Sequence, residues 1–211
     1  TSPAYIVIKA ADEFREKTTA PNQLWQTDFT YLKIAGWGWY YLSTVLDDFS
    51  RYIVAWKLCS TMKAEDVSKT LDLALTKSGL DQVNVAHRPR LLSDNGSSYI
   101  SADLAQWLDD RKIEHIRGAP YYPQTQGKIE RWHQTMKNRI LLNNYYLPRE
   151  LEEQVDAFVD DYNLRRLHES LNNLTPADVY FGRGQAILEE RERIKKLTIH
   201  NRRLQHQLKA A

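Results

Sequence analysis

The sequence predicts a mixed α/β fold: one sheet with helices packed on it and a helical tail. Three observations carry this. Period-two runs occupy 24–34, 39–46 and 52–58; helical periodicity begins at 64 and then alternates with two short strands; after 126 only helical patterns follow.

Taken in order, residues 1–20 read as a leader, with a turn at Pro21-Asn22. In LWQTDFTYLKI, residues 24–34, Trp25, Thr27, Phe29 and Tyr31 point one way and Gln26, Asp28 and Thr30 the other, which sets Asp28 mid-strand on a polar face. Gly36 and Gly38 bracket a turn into 39–46, a run expected to be buried on both faces. Asp47-Asp48-Phe49-Ser50 is turn chemistry before a third strand at 52–58. Val67, Leu71, Ala74 and Leu75 define a helix over 64–78. A strand at 90–93 ends at Asp94-Asn95-Gly96. Ser101 caps a helix carrying Leu104, Ala105 and Leu108. A fifth strand spans 113–116. Gly118, Pro120 and Pro123 mark a loop before a long helix over 126–145, whose stripe is Ile129, Trp132, Met136 and Ile140; a further helix covers about 150–165. From 183 to 211, Ile187, Ile194, Asn201 and Leu208 recur every seven residues with Leu197 and Leu204 between them, a seam compatible with a short coiled coil or with a single helix.

Composition narrows the function classes. With 42% hydrophobic and 27% charged residues the chain is of ordinary globular type, and no apolar run approaches a membrane span. Cys59 is the single cysteine, which excludes an internal disulfide framework and fits a reducing compartment. Thr1 opens the chain, so a longer parent protein is expected. The net charge of +2 conceals strong segregation: residues 111–149 hold eight Lys/Arg against two Asp/Glu, and 183–211 hold eight against three, whereas 150–182 hold two against eight. A polyanion responds to those local fields rather than to the total.

Among the carboxylates, Asp28 interrupts a β-forming strand, where a lone charge needs a partner. Asp94 leaves a short apolar strand, and Glu130 sits one turn into a helix; taken singly, these two also read as a turn residue and a favourable N-terminal charge. Convergence of all three at one end of a sheet would demand cations between them, and hard oxygens without a His/Cys cluster select Mg²⁺ or Mn²⁺. Two such ions can activate a nucleophile and stabilise a leaving oxygen in an in-line displacement on a phosphodiester.

Four blocks then become recognisable: Trp25-Gln26-Thr27-Asp28-Phe29-Thr30, Leu46-Asp47-Asp48-Phe49-Ser50-Arg51, Ser93-Asp94-Asn95-Gly96-Ser97 and Tyr122-Pro123-Gln124-Thr125-Gln126-Gly127-Lys128-Ile129-Glu130-Arg131. In this order, and with 35 residues between Asp94 and Glu130, they resemble the catalytic core of DDE transposases of the bacterial insertion-sequence type, within the retroviral-integrase superfamily. The segment from Tyr162-Asn163 to Thr175-Pro176 resembles the close of such cores, so the likeness spans about 21–182.

The resemblance implies an RNase H-like fold with a central five-stranded mixed sheet. It implies Asp28, Asp94 and Glu130 as catalytic metal ligands for Mg²⁺ or Mn²⁺, with two ions the expected number. The implied reaction is cleavage at element ends by water, then transfer of the 3′-OH into target DNA. Double-stranded DNA is the expected partner, contacted through Asn95, Gln126, Gly127, Lys128, Arg131 and Lys137. A homo-oligomer on DNA and a bacterial cytoplasmic, nucleoid-associated location are also expected. The helix-turn-helix modules usual upstream in such transposases are absent from these 211 residues, and the tail from 183 has no match in the family pattern.

Around the site, Asp47 and Asp48 are expected to form turn and salt-bridge contacts, with Arg51 as partner. Trp25, Trp56 and Trp132 are assigned to the core. Tyr121 and Tyr122 suit either base stacking or sheet packing, and His133 reads as a helix-face histidine. The alternative function is an inactive DNA-binding or assembly module derived from a transposase. A tyrosine recombinase using Arg165, Arg166 and His168, and simple RNase H activity, fit the blocks less well.

Overall fold

The computed structural model describes residues 17–82, 88–117 and 126–210. The three period-two runs become β1 (Leu24–Ile34), β2 (Gly38–Asp47) and β3 (Ile53–Cys59), an antiparallel meander. Gly36 and Gly38 turn β1 into β2 with φ of 79° and 95°, values that a side chain would oppose. β4 (Arg90–Ser93) then lies parallel to β1 on its other side, and β5 (His115–Arg117) parallel to β4. The sheet order is β3-β2-β1-β4-β5, so β1 is the central strand and the only one joining the antiparallel and parallel halves.

Parallel neighbours require crossover connections, and two helices provide them. α1 (Ala64–Ser78) connects β3 to β4; it buries Val67, Leu71, Ala74 and Leu75 and closes on Gly79 in the left-handed region. α2 (Ala102–Asp110) connects β4 to β5, with the Ser101 hydroxyl accepting the Leu104 N–H at 3.2 Å. Leu104 and Leu108 are buried, but Ala105, expected in that stripe, faces solvent because the short helix offers only a narrow apolar edge.

α3 (Gly127–Ile140) carries the expected stripe yet stops five residues before the predicted end. Residues beyond the helix close it: the Ile140 carbonyl accepts from the Tyr145 hydroxyl at 3.0 Å and from the Asn143 N–H at 3.3 Å, which satisfies a terminal acceptor that another turn would have used. β1 is buried on both faces over residues 24–27, and the even-numbered side, predicted to be polar, is the covered one from Thr30 on: Thr30, Leu32 and Ile34 are buried, while Tyr31 and Lys33 are exposed. Contacts from α3 to β1 account for that reversal.

The chain divides into two compact units, one reaching to Ala157 and one from Phe158 onward, the break falling inside α4 (Pro148–Leu164). In the second unit, a 3₁₀ turn (Glu169–Leu171) precedes α5 (Pro176–Tyr180), which opens with a reciprocal Thr175/Asp178 capping box. α6 (Gly184–Ala210) starts in close contact with this unit: a Cβ at Gly184 would lie 2.8 Å from Leu174 Cδ1, and Arg191 Nη1 donates to the carbonyls of Asn172 and Asn173 at 3.3 and 3.0 Å. From Arg191 to Lys209 every residue is exposed. Among the described residues no helix is long and apolar enough to cross a membrane.

Candidate active site

The last paired residues of β1 and β4 are Gln26 and Leu92. Asp28 lies two residues beyond that pairing, in the interior of β1, and Asp94 directly follows the last residue of β4, so both leave the parallel pairing in the same direction. Asp28 is half-buried; its Oδ1 accepts the Phe29 N–H at 2.8 Å and its Oδ2 lies 3.5 Å from His133 Nδ1. Asp94 is exposed, and its Oδ1 accepts the Gly96 N–H at 2.8 Å, closing a tight turn at the strand exit. A Cβ at Gly96 would come within 3.0 Å of that same Oδ1. Tyr99, packed against Phe29 with ring centroids 6.1 Å apart, senses both acids. Burial, then the negative charge of Asp28 and less that of Asp94, hold its hydroxyl well above the usual phenol range.

Glu130 is placed by the helix that bears it. Gln26, fully buried on β1, accepts the Ile129 N–H on Oε1 at 3.2 Å and donates from Nε2 to Asp48 Oδ1 at 2.8 Å. Asp48 Oδ2 in turn accepts from Thr18 Oγ1 at 2.7 Å and pairs with Lys128 Nζ at 2.7 Å, which also donates to the Asp48 carbonyl at 2.8 Å. The first turn of α3 is thereby tied to β1 and to the end of β2, and an N–H that the helix start leaves unpaired gains an acceptor. Lys128, which nothing local in the sequence links to it, is a partner of Asp48. Asp47 accepts from the Asn22 N–H and from the Ser50 N–H and hydroxyl; its burial raises its carboxyl pKa despite those donors.

Glu130 itself is exposed, with no hydrogen bond or ion pair among the described residues. α3 therefore touches β1 through Ile129, one residue before Glu130, and through His133, three residues after it. Among the described residues no group of three His, Cys, Asp or Glu side chains is drawn together as a metal-binding set. Asp28 and Asp94 both lie near enough to Tyr99 to act on it; the third carboxylate is on the helix tied to β1 and is not closed onto them.

The expected DNA contacts are distributed differently. Asn95 and Arg131 are exposed, and Gly127 has open space around it. Lys137 extends over the Tyr31 ring, 4.5 Å from its centroid. Gln126 is buried, and Lys128 pairs with Asp48. Tyr121 and Tyr122 lie outside the described residues. Trp25 and Trp132 are fully buried and Trp56 is half-buried. His133 is buried rather than on a free helix face.

Sequence reasoning missed three features. Gln26 is a structural link whose only signal was an amide two residues before Asp28. The end of the β1–β2 hairpin exposes Tyr31, Trp37 and Trp39, with Tyr31 edge-on to Trp39 at 5.6 Å and Lys33 6.0 Å from the Trp39 ring; the odd-numbered alternation of β1 was its signal. His115 Nε2 meets Ser93 Oγ at 2.8 Å, and that hydroxyl donates to the Asp94 carbonyl at 2.9 Å, linking β5 to the strand exit. The basic residues of the second unit are occupied locally: Arg165 faces Asp161 at 3.8 Å, while Arg166 and His168 both pack on the Tyr162 ring.

A central strand antiparallel to one neighbour and parallel to the other, with helical crossovers, an acid within that central strand and another at the exit of its parallel neighbour, defines an RNase H-like core. Residues 18–123 and 111–176 each match a family described as integrase core domain, and the chain belongs to the integrase core family. It is 30% identical over 178 residues to the transposase for insertion sequence element IS629 of Shigella sonnei, covering 81% of this chain and 56% of the relative. It is 27% identical over 160 residues to transposase InsF for insertion sequence IS3A of Escherichia coli (strain K12), covering 75% and 54%. The chain thus spans about half the length of these curated relatives. Its fold is shared with the simian T-cell lymphotropic virus intasome in complex with a PP2A regulatory subunit (TM-score 0.66, 22% identity, covering 78% of this chain and 56% of that one). It is also shared with the HTLV-2 integrase catalytic core domain in complex with magnesium in its trimeric form (TM-score 0.62, 20% identity, covering 78% and 99%).

Proposed function

We propose that this chain is the catalytic core of a DDE transposase, which cuts DNA at the ends of a mobile element and joins the freed 3′-OH to a target strand. What supports the reading is that Asp28 and Asp94 both follow the parallel β1–β4 pairing and both act on Tyr99, while the helix bearing Glu130 is tied to β1. Family membership and transposase relatives support it.

The donor set suits a hard divalent cation: all three groups are carboxylates, and Asp94 and Glu130 are open to solvent. Asp28, Asp94 and Glu130 would hold Mg²⁺ or Mn²⁺, two ions being the proposed number; when bound, such ions lower the pKa of an attacking hydroxyl and stabilise the leaving oxygen. Cleavage breaks one phosphodiester P–O bond, with water supplying the hydroxyl to phosphorus and a proton to the departing 3′-oxygen. Joining forms one phosphodiester and breaks another, so it needs no external energy source. The chain's residues supply position and charge. Gln26, Asp48 and Lys128 hold the first turn of α3, while Asn95, Arg131 and Lys137 would contact phosphate. Neither step needs a protein nucleophile, and Cys59 is unsuited to that role because burial pushes its thiol up to about 11. The proposed working state is a homo-oligomer on double-stranded DNA in the bacterial cytoplasm.

The test is nicking and strand joining on labelled duplex bearing the element's terminal sequence. Asp28→Asn, Asp94→Asn and Glu130→Gln are each expected to lower the rate by about 10²-fold or more with folding intact, and chelation to stop it. Joining at the parent rate in any of the three overturns the roles assigned. One observation favours a second reading, an assembly module that no longer turns over: His133 already occupies Asp28. Duplex binding without nicking by the parent chain, at any divalent ion concentration, would establish that reading.

A further inference from the structure

Both family matches end by residue 176, and the most unusual surface of the molecule lies beyond them. α6 leaves its own unit at Arg191 and continues as a bare helix on which Ile194, Leu197, Leu204 and Leu208 are 50%, 52%, 44% and 79% exposed. These four and Asn201 form one stripe about 21 Å long, at the a and d positions of a heptad. A lone helix does not keep such a stripe uncovered in water.

We infer that this stripe is the seam of a parallel, in-register two-stranded coiled coil formed with a second copy of the same chain. Three features select that occupant. Ile194 at a with Leu197 and Leu204 at d is the pairing preferred by two-stranded parallel coils. Asn201 at the central a position is self-complementary only when it meets its own copy, whereas against an apolar surface its amide would be buried without partners. Charge distribution agrees: Lys195, Lys196, Arg202, Arg203 and Lys209 fall at b and c, on the outer side, while the flanking e and g positions below Arg193 are Thr198, His200, Gln205 and Gln207. The two flanking arginines are already engaged, Arg191 by the Asn172 and Asn173 carbonyls and Arg193 by Glu190 at 2.7 Å. Like charges therefore do not face each other across the seam, and the basic flanks remain outward. The inference is independent of the catalytic reading.

The test uses the full chain without DNA. Sedimentation is expected to show a monomer–dimer equilibrium over about a hundredfold concentration range. Asn201→Lys should weaken dimerisation at least about tenfold by placing like charges in the seam, with the thermal transition of the folded units unchanged. Leu204→Cys should give a disulfide-linked dimer on mild oxidation; Arg203→Cys, one residue away on the outer side, should not. A chain that stays monomeric throughout, an Asn201→Lys variant that dimerises like the parent, or equal linking at 203 and 204 overturns the proposal. A dimer that Leu204→Cys fails to link is antiparallel or held elsewhere, and overturns it as well.

Discussion

The Asp94 carboxylate is held by one small residue, Gly96. Gly96 donates its N–H to Oδ1 and leaves no room for a methyl, since a Cβ there would sit 3.0 Å from the same oxygen. Gly96→Ala keeps charge and hydrogen-bond chemistry but moves that oxygen by a few tenths of an ångström. It should slow nicking about tenfold or more with little change in melting temperature, because positioning errors weigh more on rate than on folding; equal slowing of catalysis and loss of fold would contradict this. His115 stands behind the same turn. Burial, and then the charge of Arg117, hold its imidazole below the ordinary 6.5. The unfolded chain therefore takes up a proton first as pH falls. The contribution to stability is complete above about pH 6.5 and is lost as pH drops through the lower folded value. Urea unfolding of the parent against His115→Gln should show the parent losing more stability between about pH 6.5 and 5, and parallel curves would refute the shift.

Elements were legible where their boundaries are written locally. α1 and β4 span the predicted residues, and α2 begins after the predicted Ser101 cap, because periodicity, a capping serine and an Asp-Asn-Gly turn act within a few residues. The end of α3 was not legible, since the group that closes it, the Tyr145 hydroxyl, lies beyond the helix and arrives only through folding. The same holds for the site. Asp28, Asp94 and Glu130 could be singled out by motif and spacing, whereas the partner of Asp48 is a lysine 80 residues away with no local mark. That long-range tie has a measurable weight. Asp48→Ala strands the buried Gln26 Nε2 and removes the ion pair of Lys128, which keeps only its bond to the residue 48 carbonyl, and should cost about 1–3 kcal/mol in urea unfolding. It should also depress nicking more than Asp48→Asn, which retains an acceptor for Gln26. Equal activity in the two variants would show that α3 is seated by its apolar stripe alone.

At the scale of the molecule, a sheet half antiparallel and half parallel imposes an order of assembly. The meander β1–β2–β3 is built from neighbours in sequence, joined by turns of a few residues. The β1–β4 pairing must instead close a loop of more than fifty residues that includes α1, and such closures come late. The pair of acids belongs to that second closure, so a nascent or half-melted chain owns the hairpin but not the cutting edge. Pulse-labelled hydrogen exchange during refolding should protect β2 amides before those of β4, and simultaneous protection would refute the sequence of events. Asp28 and Asp94 thus come together only when the parallel half of the sheet closes, after the hairpin that carries Asp28 is already in place.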